Sequence, residues 1–180
     1  MPKEIWKDIY EFEEYGISNR GRVINHITDR IKTPSVNQHG IPHVLFVKDR
    51  IQYRRTVALL VANAFLPRYR EELDNYPDHF DTPINLNGDR LDNCVENLMW
   101  RPRWFVVKYH QQMKNGPRTN YPSRPIMDED TEEIYSSQWE AATKLGLLEG
   151  DIVVAVFNKE AVFPGGYRFC FVKNDLVDIN

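Results

Sequence analysis

Ile84-Asn85-Leu86-Asn87-Gly88-Asp89-Arg90-Leu91-Asp92-Asn93-Cys94-Val95-Glu96-Asn97-Leu98-Met99-Trp100 is the stretch on which the fold turns. Its opening reads as a strand. Asn87-Gly88-Asp89 reads as a turn, because glycine and asparagine accept the left-handed backbone that a tight reversal needs. The residues after it read as a short helix ending near Trp100, which gives a ββα pattern. Ahead of this stretch, Val57-Ala58-Leu59-Leu60-Val61-Ala62-Asn63-Ala64-Phe65 predicts a helix bearing on the core and stopped near Pro67. Residues 44–47 and 51–56 flank Lys48-Asp49-Arg50 as a hairpin. The short apolar stretches from Glu4 to about Pro34 predict strands, with a turn at residues 19–21. Residues 66–83 form a polar connection.

Beyond Trp100 the character changes. Residues 101–125 contain four prolines, a glycine and many basic or polar side chains, without helical or strand periodicity, and predict an extended linker. The remainder predicts a compact unit. Short strands flank an acidic turn at residues 128–132, and Ser137-Gln138-Trp139-Glu140 is a capping box that starts a helix. That helix ends at Gly146, which suits a left-handed C-terminal position. A second helix over residues 151–157 and a closing strand over residues 165–172 follow. The fold class is α+β: a small β-rich motif with a ββα core in residues 1–100, an extended basic linker in 101–125, and a small helix-turn-helix module with short strands in 126–180.

With 42% hydrophobic and 12% aromatic residues in a chain of 180, real cores are available and the chain is globular, not disordered. The opening residues contain no apolar signal-peptide core. No apolar run approaches the roughly eighteen residues that span a bilayer, so the expectation is a soluble, cytoplasmic protein with no membrane partner. Cys94 and Cys170 are too few for a disulfide framework or a four-cysteine zinc site, and read as buried free thiols. The net charge of −3 is unevenly spread. Residues 1–100 hold 13 Lys/Arg against 15 Asp/Glu, residues 101–125 hold 6 against 0, and residues 126–180 hold 4 against 11. A basic stretch joins a near-neutral front to an acidic back.

In this order the parts resemble the phage and intron HNH homing endonucleases, which combine an N-terminal nuclease-associated modular motif, an HNH core, an extended linker and a C-terminal helix-turn-helix module. Nearly the whole chain is covered. Trp6, Ile9, Phe12, Tyr15, Ser18, Asn19, Gly21, Arg22 and Val23 match the first part. Leu60, Val61, Ala62, Phe65, Gly88, Asn93, Asn97, Leu98 and Trp100 match the core, and Ser137, Ala141, Leu145, Gly146, Leu147, Gly150, Ile152, Gly166, Tyr167 and Phe169 the last module. Each set alone is moderately specific; the three in sequence are strong.

The departures fall where catalysis belongs. Family members carry an Asp-His pair ahead of the turn and a late Asn beyond the Asn-Leu-x-Trp segment. Here the pair is Ile84-Asn85, the late Asn falls on Val106, and the His usual at the start of the packed helix is Ala58. The resemblance implies a His base that activates water and one divalent ion held by oxygens of Asp and Asn. An amide cannot take and return a proton near neutral pH, and Ile84 and Val106 offer no oxygen. No catalytic residue, metal ligand or cofactor is therefore assigned. Mg2+ or Mn2+ enters only in an alternative, an active nicking endonuclease in which His79, Asp81, Asp89, Asp92 and Asn93 supply displaced groups. His39 and His43 are further candidates, although a single His on a strand is usually structural.

Phosphate contacts need cations and donors, not a metal. The candidates in the linker are Arg101, Arg103, Lys108, Lys114 and Arg118, with Trp104, Tyr109 and His110 interleaved; in the resembling enzymes this linker tracks the minor groove. Arg20, Arg22, Arg54 and Arg55 extend the set. The second helix of the last module would present Glu149 and Asp151 where such a helix faces DNA, and acids there repel the duplex. The leading expectation is a catalytically inactive, phage-encoded protein that keeps double-stranded DNA as partner and acts as a regulator. Against it stand the nicking enzyme and a protein-interaction module whose acidic C-terminal unit contacts host transcription or nuclease machinery.

Overall fold

In the computed structural model, residues 3–68 and 80–172 are described. They fall into two compact units, Met1–Val107 and Lys108–Asn180. His79 lies outside the described residues, as does the end of the C-terminal module.

The first unit opens with four antiparallel strands in chain order, β1 (Trp6–Ile9), β2 (Phe12–Ser18), β3 (Val23–Asn25) and β4 (Arg30–Lys32). The expected turn between β2 and β3 is present. Ser18 Oγ accepts from the backbone N–H groups of Arg20 and Arg22 at 3.2 and 3.0 Å. Gly21 takes φ +79°, and a Cβ there would meet Val57 and Asn93 at 3.1 and 3.2 Å, so only glycine suits this position. A second sheet holds β5 (Ser35–Val36), β6 (Pro42–Lys48) and β7 (Ile51–Thr56). β6 and β7 form the expected hairpin, with Asp49 and Arg50 both left-handed at φ 52° and 64°. The helix α1 runs Val57–Phe65 as read, and its buried Val57, Leu60 and Val61 meet Phe12, Ile17 and Phe46 of the sheets in one core. Phe12 and Phe46 stack with centroids 4.4 Å apart.

Residues 84–100 depart from expectation at their second half. β8 (Thr82–Asn85) pairs antiparallel with β9 (Leu98–Arg101), so Leu98 to Trp100 is strand, and the only helical piece between them is the single 3-10 turn Val95–Asn97. The helix that follows β9 is α2, Arg103–Asn115, within the stretch expected to be extended. The physical reason is a helical stripe hidden by composition: Phe105, Val106 and Tyr109 are buried, with Gln112 and Met113 half-buried one turn on. Pro102 stands just before the helix, where its missing N–H costs nothing, and Gly116, at φ +73°, just after it.

In the second unit β10 (Ile126–Asp128) pairs with both β11 (Ile134–Tyr135) and β12 (Phe169–Phe171). Two helices pack on this sheet, α3 (Gln138–Leu145) and α4 (Glu149–Asn158), separated by Gly146, Leu147 and Leu148. Ser137 caps α3 as read, its Oγ accepting from Glu140 N–H at 3.1 Å, and Gly146 is left-handed at φ 63°. Glu140 reaches one residue further back than a capping box requires, to the N–H and hydroxyl of Ser136 at 2.6 and 2.5 Å. Among the described residues no helix is long and apolar enough to cross a membrane.

The Ser136 hydroxyl and backbone N–H, with Lys144 beside them, hold the Glu140 carboxyl down to about 2 from an ordinary 4.5. Because the folded pKa lies below the unfolded one, this stabilisation is complete above about pH 4.5 and is lost as pH falls towards 2. Glu140→Gln is expected to flatten the acid limb of the second unit's unfolding curve, and an NMR titration that finds the Glu140 carboxyl at its ordinary value would contradict the cap.

Candidate nucleic-acid interface

The loop between β8 and β9 is held by amides. Asn97 Oδ1 accepts from Asn87 N–H at 2.9 Å, while its Nδ2 donates to Asn87 Oδ1 at 2.9 Å and to Asp92 C=O at 2.8 Å. Asn85 Nδ2 donates to Asp92 C=O at 2.9 Å and to Asn93 Oδ1 at 3.3 Å. Asn85, at the expected general-base position, thus has a structural use for its side chain. Ile84 is fully buried and Val106, on α2, is 8% exposed. These three positions present two hydrocarbons and an amide engaged within the chain, and they do not fit a divalent ion.

The residues considered as displaced ligands have internal partners as well. Asp89 Oδ1 accepts from Leu91 N–H at 2.9 Å, Asp92 Oδ2 from Asn87 Nδ2 at 2.8 Å, and Asp81 Oδ1 from the Thr82 hydroxyl at 2.7 Å. Asn93 Nδ2 donates to Arg90 C=O at 3.1 Å. His43 is buried on β6 with Nδ1 3.5 Å from Ile41 C=O. Among the described residues no group of three or more His, Cys, Asp or Glu is placed to hold a metal ion.

The candidate DNA-contacting residues separate into two kinds. Arg103, Trp104, Val107, Lys108, Gln111, Lys114 and Asn115 are the exposed positions of α2, and they recur at helical spacing along one face. Arg118 and Arg124 follow, also exposed. Arg20 and Arg54 are exposed on the β2–β3 turn and on β7. The others are buried, half-buried or ion-paired. Arg101, expected at the interface, is buried: its Nη1 donates to Trp100 C=O at 2.8 Å and its guanidinium lies 5.6 Å from the Phe105 ring centroid. Tyr109 is core, and His110 is half-buried. Arg22 forms a two-point pair with Glu4 and holds that carboxyl below the usual range. Arg55 pairs with Glu11 at 2.6 Å and lies over Phe12 and Tyr53.

One expected obstacle is also removed. Glu149 is not presented at the start of α4: it is buried, its Oε2 accepts from Arg118 N–H at 2.9 Å, and its own N–H donates to Gln112 Oε1 at 2.7 Å. Gln112 Nε2 in turn donates to Leu147 C=O at 3.1 Å. The Gln112–Glu149 contact had no sequence signal, because Gln112 looks like an ordinary surface polar residue and Glu149 like an exposed acid at a helix start until the fold brings them together. Asp151 stays exposed, with burial of its surroundings raising its carboxyl above the ordinary value and Lys108 and Arg118 opposing the rise.

Comparison with known proteins gives three matches. The NUMOD4 motif matches residues 4–46. A protein of Acanthamoeba polyphaga mimivirus, named as an uncharacterized HNH endonuclease, is 39% identical over 188 residues, covering 98% of this chain but 44% of that relative, so the chain spans less than half the length of this relative. The structure reported for DNA binding and cleavage by the HNH homing endonuclease I-HmuI shares the fold with a TM-score of 0.51 and 23% identity, over 94% of this chain and 99% of the other.

The amide loop and the apolar centre make a stability prediction. Asn97→Ala removes three hydrogen bonds and is expected to cost about 1–3 kcal/mol in urea unfolding. At Ile84, Val should cost about 0.5–1.5 kcal/mol, whereas Asp should cost clearly more because it places a carboxylate in a fully buried apolar position. Equal stability of the Asp and Val variants would sink the view that this centre is packed core.

Proposed function

We propose that this chain, which belongs to the HNH homing-endonuclease type, binds duplex DNA without cutting it and acts by occupancy as a regulator. The observation that carries this reading is the division of α2 into two faces. The inner face puts Val106 in the core, where the resemblance expects an oxygen ligand, and the outer face sets Arg103, Trp104, Lys108 and Lys114 in solvent. With Arg118 this gives four cations along one continuous stretch that contains no acidic residue. Such a stripe supplies phosphate contacts and a salt-dependent affinity. Trp104 adds an aromatic surface of the kind that packs against sugar or an unstacked base.

Loss of the general base alone removes about 10²–10⁴ in rate. Here the positions expected to hold the ion are hydrocarbon as well. Domain use follows the same logic: the ββα unit would present α2 to the duplex, and the two-helix unit at the C-terminal end would add contacts.

Gel shift and supercoiled-plasmid nicking on one preparation, with and without Mg2+ or Mn2+, test both halves of this reading. The expected result is a metal-independent shift and no nicked circle; metal-dependent nicking overturns the inactive assignment, and absence of any shift at low salt overturns DNA binding. Arg103→Ala with Lys108→Ala is expected to weaken binding across unrelated sequences and to lower the slope of log K against log salt by about two. Arg101→Ala should instead act on stability, since its side chain is inside.

A further inference from the structure

Residues 101–125 contain no Asp or Glu, yet the fold brings two of their cations to an acid on the first turn of α4. Gln112 is fastened there, its Nε2 donating to Leu147 C=O at 3.1 Å and its Oε1 accepting from Glu149 N–H at 2.7 Å. Lys108 stands four residues before Gln112 on α2, one turn back on the same side of the helix. Arg118 arrives from the chain beyond α2. Its N–H donates to Glu149 Oε2 at 2.9 Å, and its guanidinium lies against Gly150, where a Cβ would stand 2.8 Å from Nη2 and 2.9 Å from Cζ. The missing side chain at Gly150 leaves room for that approach. The next residue is the exposed Asp151. Burial of its surroundings raises its carboxyl, and the fields of Lys108 and Arg118 both oppose the rise.

We propose, resting on the DNA-binding reading above, that Asp151 is a built-in counter-charge that competes with DNA phosphate for Lys108 and Arg118, and so holds duplex affinity below what these cations alone would give. Carboxylate and phosphate oxygens accept the same charge-assisted hydrogen bonds from ammonium and guanidinium groups. A phosphate that approaches either cation therefore meets a negative charge already in place. Glu149 cannot take this part, because it is buried and its Oε2 is engaged by Arg118 N–H. Glu160 lies past the far end of α4, a helix of 10 residues and so about 15 Å long. That exceeds the roughly 8 Å over which exposed charges act at physiological salt. Phosphate contacts carry no sequence information, so the carboxylate weakens binding to every duplex alike. It moderates the general affinity of a chain that acts by occupancy and leaves any base contacts untouched.

Affinity of the full chain for a duplex of arbitrary sequence is measured over a series of salt concentrations. Asp151→Asn is expected to bind about two- to fivefold more tightly than the unaltered chain at physiological ionic strength, with a slope of log K against log salt steeper by about one. Asp151→Ser, also neutral, should do the same. Glu129→Gln removes one exposed charge from the acidic turn between β10 and β11 and should change neither quantity. In a Lys108→Ala/Arg118→Ala background, Asp151→Asn should gain nothing. Unchanged or weaker binding by both neutral variants, an equal gain in Glu129→Gln, or a gain that persists without the two cations overturns this inference and leaves DNA binding standing. Failure of the unaltered chain to bind duplex at low salt overturns DNA binding itself, and the inference with it.

Discussion

Backbone groups in the connection between β8 and β9 have no ladder to satisfy them, and the whole ββα unit depends on how that debt of hydrogen bonds is met. Asn85, Asn87, Asn93 and Asn97 meet it with side-chain amides, each able to donate and accept at once. Val95 N–H adds a bond to Asn19 C=O at 2.9 Å, so the loop is also tied to the turn between β2 and β3. Gly21 lies against Asn93 at that junction. The N-terminal motif and the β8–β9 loop are thus tied together within the first unit, and side-chain amides satisfy the loop's backbone.

The same constraint explains why the centre tolerates Ile84 and Val106. A site that holds an ion must keep charged oxygens close together, and burying such charges is costly unless each is fully compensated. Replacing them with hydrocarbon converts the costly region into ordinary core, provided that the loop no longer needs the ion to hold it. Here the amides hold it.

The sequence shows the hairpin of β6 and β7 and the helix α1 plainly, because two apolar-rich stretches, the polar turn Lys48-Asp49-Arg50 between them and a long apolar run with a following Pro67 all agree. It shows Ser137 and Gly146 equally well, since caps are local. β9 and α2 were hidden for different reasons. Leu98-Met99-Trp100 is too short to distinguish strand from helix by pattern, and only pairing with β8 decides it. Residues 101–125 have a coil-like composition as a block, but their prolines and glycine stand outside Arg103–Asn115; read by position, Pro102, Phe105, Val106, Tyr109 and Gly116 mark a helix with both ends. Among the charged candidates, the number of arginines was legible and their availability was not. Arg22, Arg55 and Arg101 are distinguished from Arg103 only by the tertiary placement of Glu4, Glu11 and Trp100.

A net charge of −3 poses less of an obstacle to DNA binding than the sum suggests. At physiological ionic strength charges are screened over about 8 Å, so a phosphate on the outer face of α2 responds to Arg103, Lys108 and Lys114, and to Asp151 beside Lys108, but hardly to more distant carboxylates. Glu4 and Glu11 are neutralised where they stand by Arg22 and Arg55. Because Val106 and Lys108 occupy different faces of one helix, changes at the inner face alter what the core can do chemically without altering the field that a duplex meets outside. The chemistry of the inner face and the charge of the outer face are therefore set by different residues of one helix.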